Sequence, residues 1–315
     1  MKKTSAISRR QFLGAASIGA AGLWLGGSES FSARFVRGMV ADAGRAVTKS
    51  VIPLPNQWKS DEINVCWLGH ATVLINFFGF TILTDPVLFD KVGTQMAGLT
   101  LGRKRLVAPA LAAHELPRID LALLSHAHMD HFDLPSLKTL PAATQVITAR
   151  NTRDLLGETS LKCVRELSWG ESATLEAADG ELEISAFEVR HWGARWRSDT
   201  HRGYNGYLLK RNGRTILFGG DTALSSSFAG LKTGRGIDLG LMPIGSYGRG
   251  TSSHCTPEEA VQMANDAGVD RIVPIHHRTF PLGKEPLDEP LQRLQAAVSA
   301  DRIALTEIGQ TFNLS

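Results

Sequence analysis

Cysteine is scarce in this chain of 315 residues, which has only Cys66, Cys163 and Cys255. They lie far apart, so the sequence has no C-x-x-C pair of the kind found in zinc knuckles and redox sites. One disulfide is compatible with three cysteines, but the odd count without a pattern favours free or buried thiols. The sequence therefore does not predict a small domain stapled by disulfides.

An excess of charge is also missing from the body of the chain. The formal charge is +3, and the first 30 residues account for all of it. The rest of the chain has 30 basic and 30 acidic residues. This balance argues against a nucleic-acid partner. The hydrophobic content of 43% is typical of a globular protein with a full core, either one large α/β domain or two small ones.

The chain begins with an apolar run that is too short to be a comfortable membrane span. Residues 12–27 are apolar but fall short of the roughly 20 residues that a spanning helix needs. At the start of this run, residues 8–13 read Ser-Arg-Arg-Gln-Phe-Leu, which resembles the twin-arginine export signal. We therefore expect residues 1–43 to be a signal peptide and flexible leader that the twin-arginine machinery exports to the periplasm or cell envelope. An uncleaved N-terminal anchor is the alternative, and residues 30–32 and 41–43 both suit cleavage.

Short strands rich in β-branched residues occur in two blocks after residue 62, and each block is followed by helices. The apolar run 119–125 reads as a strand buried on both faces. Residues 256–268 read as a helix that Thr256 caps and Gly268 ends. Residues 90–117 have weak periodicity, and a last strand is predicted at residues 304–308. This order predicts an α/β fold in which two mixed sheets pack face to face with helices outside, an αβ/βα four-layer sandwich.

Histidine is uncommon too, with ten in the chain, yet residues 125–131 read Ser-His-Ala-His-Met-Asp-His. A helix would turn His126 and His128 to opposite sides, whereas a tight loop after a buried strand can turn both the same way. Imidazole and carboxylate groups suit zinc, and sometimes iron or manganese. Four such groups exceed the three that one open catalytic ion takes. We therefore predict two ions; a histidine-rich surface turn is the alternative.

Further candidate ligands follow the strands downstream. They are His191, Asp221 and His276. With H-x-H-x-D-H at residues 126–131 and Gly-Asp-Thr at residues 220–222, they resemble the metallo-β-lactamase superfamily. The resemblance extends from about residue 62 to the C-terminus, and it implies the sandwich fold and a two-metal site. On the matching positions it implies that one ion is held by His126, His128 and His191, the other by Asp130, His131 and His276, and that Asp221 bridges them.

Shorter motifs narrow the resemblance. They are Trp-Leu-Gly-His-Ala-Thr at 67–72, Leu-Thr-Asp-Pro at 83–86, His-Trp-Gly at 191–193, Gly-Asp-Thr at 220–222, Thr-Pro-Glu-Glu-Ala at 256–260 and Ile-His at 275–276. They are similar to the N-acylphosphatidylethanolamine-hydrolysing phospholipase D group, and more distantly to the ascorbate-6-phosphate lactonase group. His277 departs from the first group, which usually has Trp-Gly there.

The resemblance implies that residues 44–315 form a hydrolase domain in which a hydroxide bridging two divalent ions attacks the substrate. We expect Zn²⁺, with iron or manganese as alternatives, and Asp130 assisting proton transfer besides binding metal. The expected activity is a phosphodiesterase of phospholipase D type on a phospholipid. A lactonase or other carboxylic-ester or amide hydrolase acting on a small molecule is the alternative. A non-catalytic metal-binding protein fits the complete ligand set less well. The sequence makes no prediction of the oligomeric state.

Other polar residues receive supporting roles. His70 and Asp85 are expected behind the ligands, although His70 also suits the core and Asp85 a turn. His254 is expected either at a substrate phosphate or in a solvated loop. His276 is favoured over His277 as the ligand, because it directly follows a strand.

Residues 96–106 mix apolar residues with Arg103, Lys104 and Arg105. They are expected to form a lip that meets lipid phosphates at a membrane surface, or else an ordinary solvated loop.

Overall fold

A computed structural model describes residues 37–42, 44–96, 98–177, 180–196, 198–232, 234–249 and 252–314. The twin-arginine motif and the apolar run after it lie outside the described residues. The strands are β1 (Ile63–Gly69), β2 (Thr72–Phe77), β3 (Phe80–Thr84), β4 (Lys91–Met96), β5 (Leu99–Lys104), β6 (Leu121–Leu123), β7 (Gln145–Ala149), β8 (Val164–Leu167), β9 (Ser172–Ala177), β10 (Gly180–Phe187), β11 (Gly206–Arg211), β12 (Arg214–Phe218), β13 (Ile237–Pro243), β14 (Val269–Ile275) and β15 (Thr311–Leu314). The α-helices after residue 44 are α1 (Leu134–Leu137), α2 (Pro257–Ala267) and α3 (Glu289–Ala297). Short 3-10 helices lie at Pro55–Gln57, Ala113–Glu115, Arg153–Glu158, Ser226–Leu231, Tyr247–Arg249 and Ala300–Arg302.

Most strands belong to two sheets, each with an antiparallel and a parallel part. The first sheet has the order β15-β1-β2-β3-β6-β7-β8, and it becomes parallel from β3 onward. The second has the order β14-β13-β12-β11-β10-β9, and it is parallel from β12 to β14. Asn212 and Gly213 connect β11 to β12 with φ angles of 49° and 72°, the conformation that a two-residue hairpin turn requires.

The main hydrophobic core lies between the two sheets and joins residues of both, such as Ile75 of β2 and Ile216 of β12. A second core packs α2 and α3 against the second sheet, with Met263 and Leu294 fully buried. Thr256 accepts a hydrogen bond from the Glu259 amide at the start of α2, and Gly268 ends that helix at a φ of 74°. The predicted αβ/βα sandwich of two mixed sheets is confirmed.

The structure differs from the sequence prediction in two stretches. Residues 304–308 do not form the predicted last strand; the chain makes one more turn, and β15 pairs with β1 instead. Within the weakly periodic stretch 90–117, β4 and β5 form a separate hairpin. Gly93 and Gly102 face each other across it, and a Cβ at either one would overlap the opposite backbone. Alternating hydrophobicity is weak here because only part of each strand is buried.

The last described residues of the predicted leader are structured. Residues 37–42 are helical, and Asp42 is only 1% exposed. Its carboxylate accepts a hydrogen bond of 2.7 Å from Nε of Arg103 and lies 2.7 Å from Nη2 of Arg45. The end of the predicted flexible leader is therefore packed on the hairpin. Among the described residues, no helix is both long and apolar enough to cross a membrane.

Candidate metal centre

The candidate ligands lie where strands of the two sheets end. Residues 125–131 follow β6, Asp221 follows β12 and His276 follows β14. Because β12, β13 and β14 are parallel, their carboxyl ends meet at one edge, and the loop after β6 faces that edge from the other sheet. Histidines and aspartates form four overlapping groups here, and within each group the ligand atoms lie within 4.8 Å of one another. The structure thus brings together residues that are up to 150 positions apart in the chain.

The first group gathers three imidazole nitrogens around one point. Nδ1 of His128 lies 2.7 Å from Nε2 of His126 and 3.2 Å from Nε2 of His191. The outer nitrogen of His191 lies 2.7 Å from the Ser253 carbonyl. A carbonyl only accepts, so His191 donates from Nδ1 and its Nε2 turns a lone pair inward. Converging lone pairs suit a cation between them.

The second group combines carboxylates with histidines. Oδ2 of Asp130 lies 2.9 Å from Nε2 of His70, 3.6 Å from Nε2 of His276 and 3.7 Å from Nε2 of His131. Oδ2 of Asp221 lies 3.1 Å from Nε2 of His131 and 3.2 Å from Nε2 of His276. The same atom lies 3.8 Å from Nε2 of His191 in the first group. Asp221 is therefore placed between the groups, as its predicted bridging role requires.

Three residues of the site have a backbone conformation that non-glycine residues rarely adopt. The φ angles are 53° at His70, 30° at Asp85 and 63° at His276. Each directly follows a strand, and the left-handed turn there redirects its side chain toward the shared edge. Such conformations cost about 1–3 kcal/mol each and persist where the surrounding structure enforces them. The main chain of this site is thus strained where strands meet the ligands.

Four buried histidines are neutral near pH 7, the form that binds metal. Burial lowers the pKa of His70 and of His191 to about 3 and that of His128 to about 4. Burial and the neighbouring histidines hold the pKa of His126 well below its ordinary value. A neutral imidazole keeps one lone pair free, so these side chains can act as ligands without first losing a proton.

The pKa of the two histidines beside the carboxylates is raised instead of lowered. Burial alone would lower the pKa of His131 and His276, but the carboxylates of Asp221 and Asp130 outweigh it. The pKa of His131 is raised well above its ordinary value, and that of His276 is raised to about 9. Burial would raise the pKa of Asp130 and Asp221, yet the histidines hold both well below the usual range. The two carboxylates therefore stabilise positive charge at the centre.

A divalent metal pair fits the groups that are present. Buried polar atoms without a hydrogen-bond partner among the described residues include Nε2 of His131, Nε2 of His276 and Oδ1 of Asp221. A buried polar atom without a partner costs free energy, and a bound cation supplies the partner. Nitrogen and carboxylate oxygen are donors that Zn²⁺, iron and manganese accept.

Asp85 and Ser125 lie directly behind the ligands. Oδ2 of Asp85 accepts hydrogen bonds from Nδ1 of His131 at 2.6 Å and from the Ser125 hydroxyl at 2.5 Å. Asp85 was expected behind the ligands, whereas Ser125 was not. The available signal was its position, since a hydroxyl directly follows a buried strand and precedes the first histidine.

His277 lies apart from the ligand atoms. Its ring stacks on Trp67 with 4.5 Å between centroids and 18° between planes, and both ring nitrogens are buried without a hydrogen-bond partner among the described residues. His276, by contrast, contacts both Asp130 and Asp221. The geometry therefore favours His276 for the position in which the two histidines compete.

The open side of the centre is lined by His254 and by aromatic residues. Nδ1 of His254 lies 3.7 Å from Oδ2 of Asp221, and its ring stacks against His276. Trp192 packs edge-on against His128, 4.6 Å between centroids, and is 51% exposed. Phe280 packs against His70. These rings pack directly against the candidate ligand histidines.

The basic lip is the part of the predicted site that the structure contradicts. Arg103 pairs with Asp42, and Nζ of Lys104 donates to the Arg45 carbonyl at 2.7 Å. Arg105 is fully buried, and its guanidinium lies 5.2 Å from the centre of the Phe280 ring. All three side chains turn toward the domain, because a packed acceptor or ring is available there. They do not form a basic surface for lipid phosphates.

The chain is similar to known proteins in sequence and in fold. Residues 81–277 match the family described as the beta-lactamase superfamily domain. The chain is 31% identical over 269 residues to an uncharacterised protein of Mycobacterium tuberculosis, which covers 81% of this chain and 70% of that protein. It is 31% identical over 278 residues to the N-acyl-phosphatidylethanolamine-hydrolyzing phospholipase D 1 of Caenorhabditis elegans, covering 81% and 77% respectively. A solved metallo hydrolase of the archaeon Ignicoccus hospitalis matches in fold, with a TM-score of 0.61 at 19% identity over 81% of this chain and 99% of that one.

Proposed function

The chain belongs to the metallo-β-lactamase superfamily and is one of its metal-dependent hydrolases, and we propose that it hydrolyses a phosphodiester bond of N-acylphosphatidylethanolamine-like lipids. The observation that carries this proposal is the likeness to the nematode phospholipase D, which covers 81% of the chain. The paired histidine and carboxylate groups around Asp221 add support, because such a site suits phosphodiester hydrolysis.

The proposed site holds two ions, for which Zn²⁺ is our first choice and iron or manganese the alternatives. His126, His128 and His191 would hold one, Asp130, His131 and His276 the other, and Asp221 both. When bound, such ions lower the pKa of a water and polarise the oxygen of the scissile group. The rest of the proposed chemistry belongs to side chains of this protein.

Asp130 is proposed to take up the proton that the attacking water loses. Its carboxylate lies against the ligand histidines and is one-fifth exposed, so it reaches both the centre and the substrate side. The low pKa of Asp130 keeps its carboxylate ionised, so that it can accept a hydrogen bond from the attacking water. His254, on the same open side, is proposed to donate a hydrogen bond to a phosphoryl oxygen, and Trp192 to wall off water.

The lipid is proposed to reach the centre along the β4–β5 hairpin. Thr94 of β4 contacts Met129 of the metal loop, 3.7 Å between Oγ1 and Sδ, so the hairpin stands beside the site. Its far end exposes Met96, Leu99 and Leu101, and exposed apolar side chains of this kind insert into a bilayer interface. The predicted lip is thus kept in this proposal as an apolar surface, without its basic residues.

The experiment that tests the function measures turnover of metal-loaded protein on four substrates, with wild type beside Asp130→Asn. The substrates are a soluble phosphodiester reporter, N-acylphosphatidylethanolamine, a lactone and a β-lactam. Turnover of both phosphodiesters, reduced about 10²–10⁴-fold in Asp130→Asn, is expected. Turnover of the lactone alone would replace the proposal by a carboxylic-ester hydrolase. Two bound ions without any turnover would indicate a metal-binding protein.

Export by the twin-arginine machinery to the periplasm or cell envelope is a separate proposal. It rests on Arg9 and Arg10 in the motif at residues 8–13. Because Asp42 is packed against Arg103, we expect cleavage well before residue 42 rather than at residues 41–43. Replacing both arginines with lysine should retain the protein in the cytoplasm, and the mass of exported wild type gives the cleavage site. Unchanged export of the double variant would contradict the proposal.

A further inference from the structure

A single buried carboxylate, Asp85, connects both proposed metal groups. Oδ1 accepts a hydrogen bond of 2.7 Å from the Ser125 amide, and Oδ2 accepts from the Ser125 hydroxyl at 2.5 Å and from Nδ1 of His131 at 2.6 Å. Asp85 is fully buried and Ser125 is 1% exposed. His131 belongs to the second group, so that connection is direct.

The connection to the first group passes through the Ser125 hydroxyl. Oγ of Ser125 also lies 2.8 Å from Nδ1 of His126. A carboxylate only accepts hydrogen bonds, so the one hydroxyl proton is donated to Asp85. The hydroxyl oxygen is then left to accept a hydrogen bond from Nδ1–H of His126. With its proton on Nδ1, His126 turns the lone pair of Nε2 toward His128 and His191.

We propose that Ser125 is a positioning residue that fixes the tautomer of His126 by relaying the charge of Asp85, so that its hydroxyl selectively supports the metal group of His126, His128 and His191. Partners of this kind behind a ligand orient the ring and typically change metal affinity about 10–100-fold when removed. The proposal depends on metal binding at this centre, and it does not depend on which substrate is cleaved.

The packing around Ser125 leaves the hydroxyl little freedom. Its carbonyl accepts a hydrogen bond from the Asn205 amide. A Cβ on Gly220 would lie 2.9 Å from its Cβ, so Gly220, next to Asp221, closes the other side. The only described groups at hydrogen-bond distance from Oγ are Asp85 and His126. Removing the hydroxyl would leave Nδ1–H of His126 buried without an acceptor, and the tautomer with the proton on Nε2 would then block the ligand position.

A matched control exists 11 residues further along the chain. Ser136 is fully buried, and its hydroxyl donates to the buried carboxylate of Asp133 at 2.5 Å, the same distance as in the Ser125–Asp85 pair. It also accepts from the Leu88 amide and contacts no histidine. Ser136→Ala therefore measures the effect of losing a buried serine–aspartate hydrogen bond without the relay.

The test combines chelator competition on zinc-loaded protein with nitrogen NMR of its histidines. In Ser125→Ala, one of two zinc ions is expected to bind about 10–100-fold more weakly, and His126 should lose its Nδ1–H signal while His131 keeps its own. Ser136→Ala should show a similar fall in melting temperature with both ions retained. Asp85→Asn, which removes the charge that serves both groups, should weaken both ions.

Three results would overturn the proposal. The first is retention of both ions and of the Nδ1–H signal of His126 in Ser125→Ala. The second is an equal loss of metal in Ser125→Ala and Ser136→Ala, which would make the effect one of packing. The third needs no variant: wild-type protein in which His126 has its proton on Nε2 contradicts the relay, even if Ser125→Ala does not fold. A phospholipase proposal that fails in the substrate panel leaves these outcomes unchanged.

Discussion

The loop at residues 125–131 and the β4–β5 hairpin lie side by side, yet they use charge in opposite ways. The loop turns its histidines and Asp130 toward one another, and two of their nitrogens, Nε2 of His128 and Nε2 of His131, are buried without a partner in the described protein. The hairpin turns Arg103 and Lys104 toward acceptors in the packed N-terminal segment, which satisfy them. Buried nitrogens and oxygens that converge without partners, as in the loop, indicate a place for a ligand, whereas charged groups paired within the protein, as in Arg103 and Asp42, indicate structure.

The two regions also expose different surfaces. The loop is mostly buried, and Trp192 packs against its His128. The hairpin exposes apolar side chains at its far end and keeps its charges at its base. We propose that the chemistry belongs to the first region and that the second contacts the lipid. If this division holds, changes in the loop affect turnover and changes in the hairpin affect stability or lipid contact.

The largest effect is expected from Asp221→Asn. Asp221 contacts both groups of ligands, and its charge offsets that of two proposed ions, so the variant should lose metal from both groups. Loss of several kcal/mol of transition-state stabilisation corresponds to a fall in kcat/KM of about 10³-fold or more. Turnover of the soluble diester and metal content per chain measure it. Asp133→Asn, a buried aspartate that starts α1, is the control and should retain both. Equal losses would show that burial, not bridging, is what matters.

A large effect of pH on metal binding is expected from His131 and His276. Without metal both pKa values are raised, that of His276 to about 9, so both rings carry protons at pH 7 that metal must displace. Affinity should therefore rise with pH up to about 9, by about tenfold per pH unit for each displaced proton. Calorimetry of Zn²⁺ binding in buffers of different ionisation enthalpy counts the protons released. Release of none at pH 7 would contradict the charged state of these rings.

The same shift has a consequence for the metal-free fold. A histidine with a raised pKa stabilises the folded state fully below its unfolded pKa of about 6.5. That stabilisation is lost as the pH rises through the folded value, about 9 for His276. The free energy of unfolding of metal-free protein should therefore fall between pH 6.5 and pH 9. Zinc-loaded protein, in which these protons are already gone, should show a flatter profile in urea titrations.

The candidate ligands of the loop could be proposed from the sequence because their information is local. Four ligand-type residues within six positions after a buried strand are enough to indicate a metal site, and His191, Asp221 and His276 also follow strands. The sandwich could likewise be predicted, because the order of strands and helices restricts the layers. The role of His70 was harder to predict. Its hydrogen bond is to Asp130, 60 positions away in the chain, and no sequence pattern reveals the positive φ of His70.

The hairpin was predicted poorly because its information is not local. The partner of Arg103 is Asp42, 61 positions away, in a segment that the composition assigned to the leader. Long basic side chains can reach many acceptors, and which one they meet depends on the tertiary fold. The burial of Arg105 could not be predicted from the sequence for the same reason. Only the apolar character of residues 96–101 could be recognised correctly.

A moderate effect on stability is expected from Arg103→Gln. The change leaves the buried carboxylate of Asp42 with a weaker partner, and a hydrogen bond between charged groups contributes about 1.5–3 kcal/mol. The free energy of unfolding, measured in urea, should fall by about that amount, while turnover of the soluble diester stays unchanged. Lys91→Gln, an exposed lysine of the same hairpin, should change stability by less than about 0.5 kcal/mol. An equal fall in the free energy of unfolding for both variants would show that the pair of Arg103 and Asp42 does not stabilise the fold.

The smallest effect on the fold, and the sharpest separation of the two regions, is expected from Met96→Asp and Leu99→Asp. Both side chains are more than half exposed, so the melting temperature and turnover of the soluble diester should not change. Burying such a side chain in a bilayer contributes about 1.5–3 kcal/mol, so each variant should bind phospholipid vesicles at least about tenfold more weakly. Leu287→Asp, an exposed leucine outside the hairpin, is the control and should bind as wild type does. If all three variants bind vesicles equally well, the hairpin is not the lipid-facing surface, and the centre must receive its substrate past Trp192 and His254 alone.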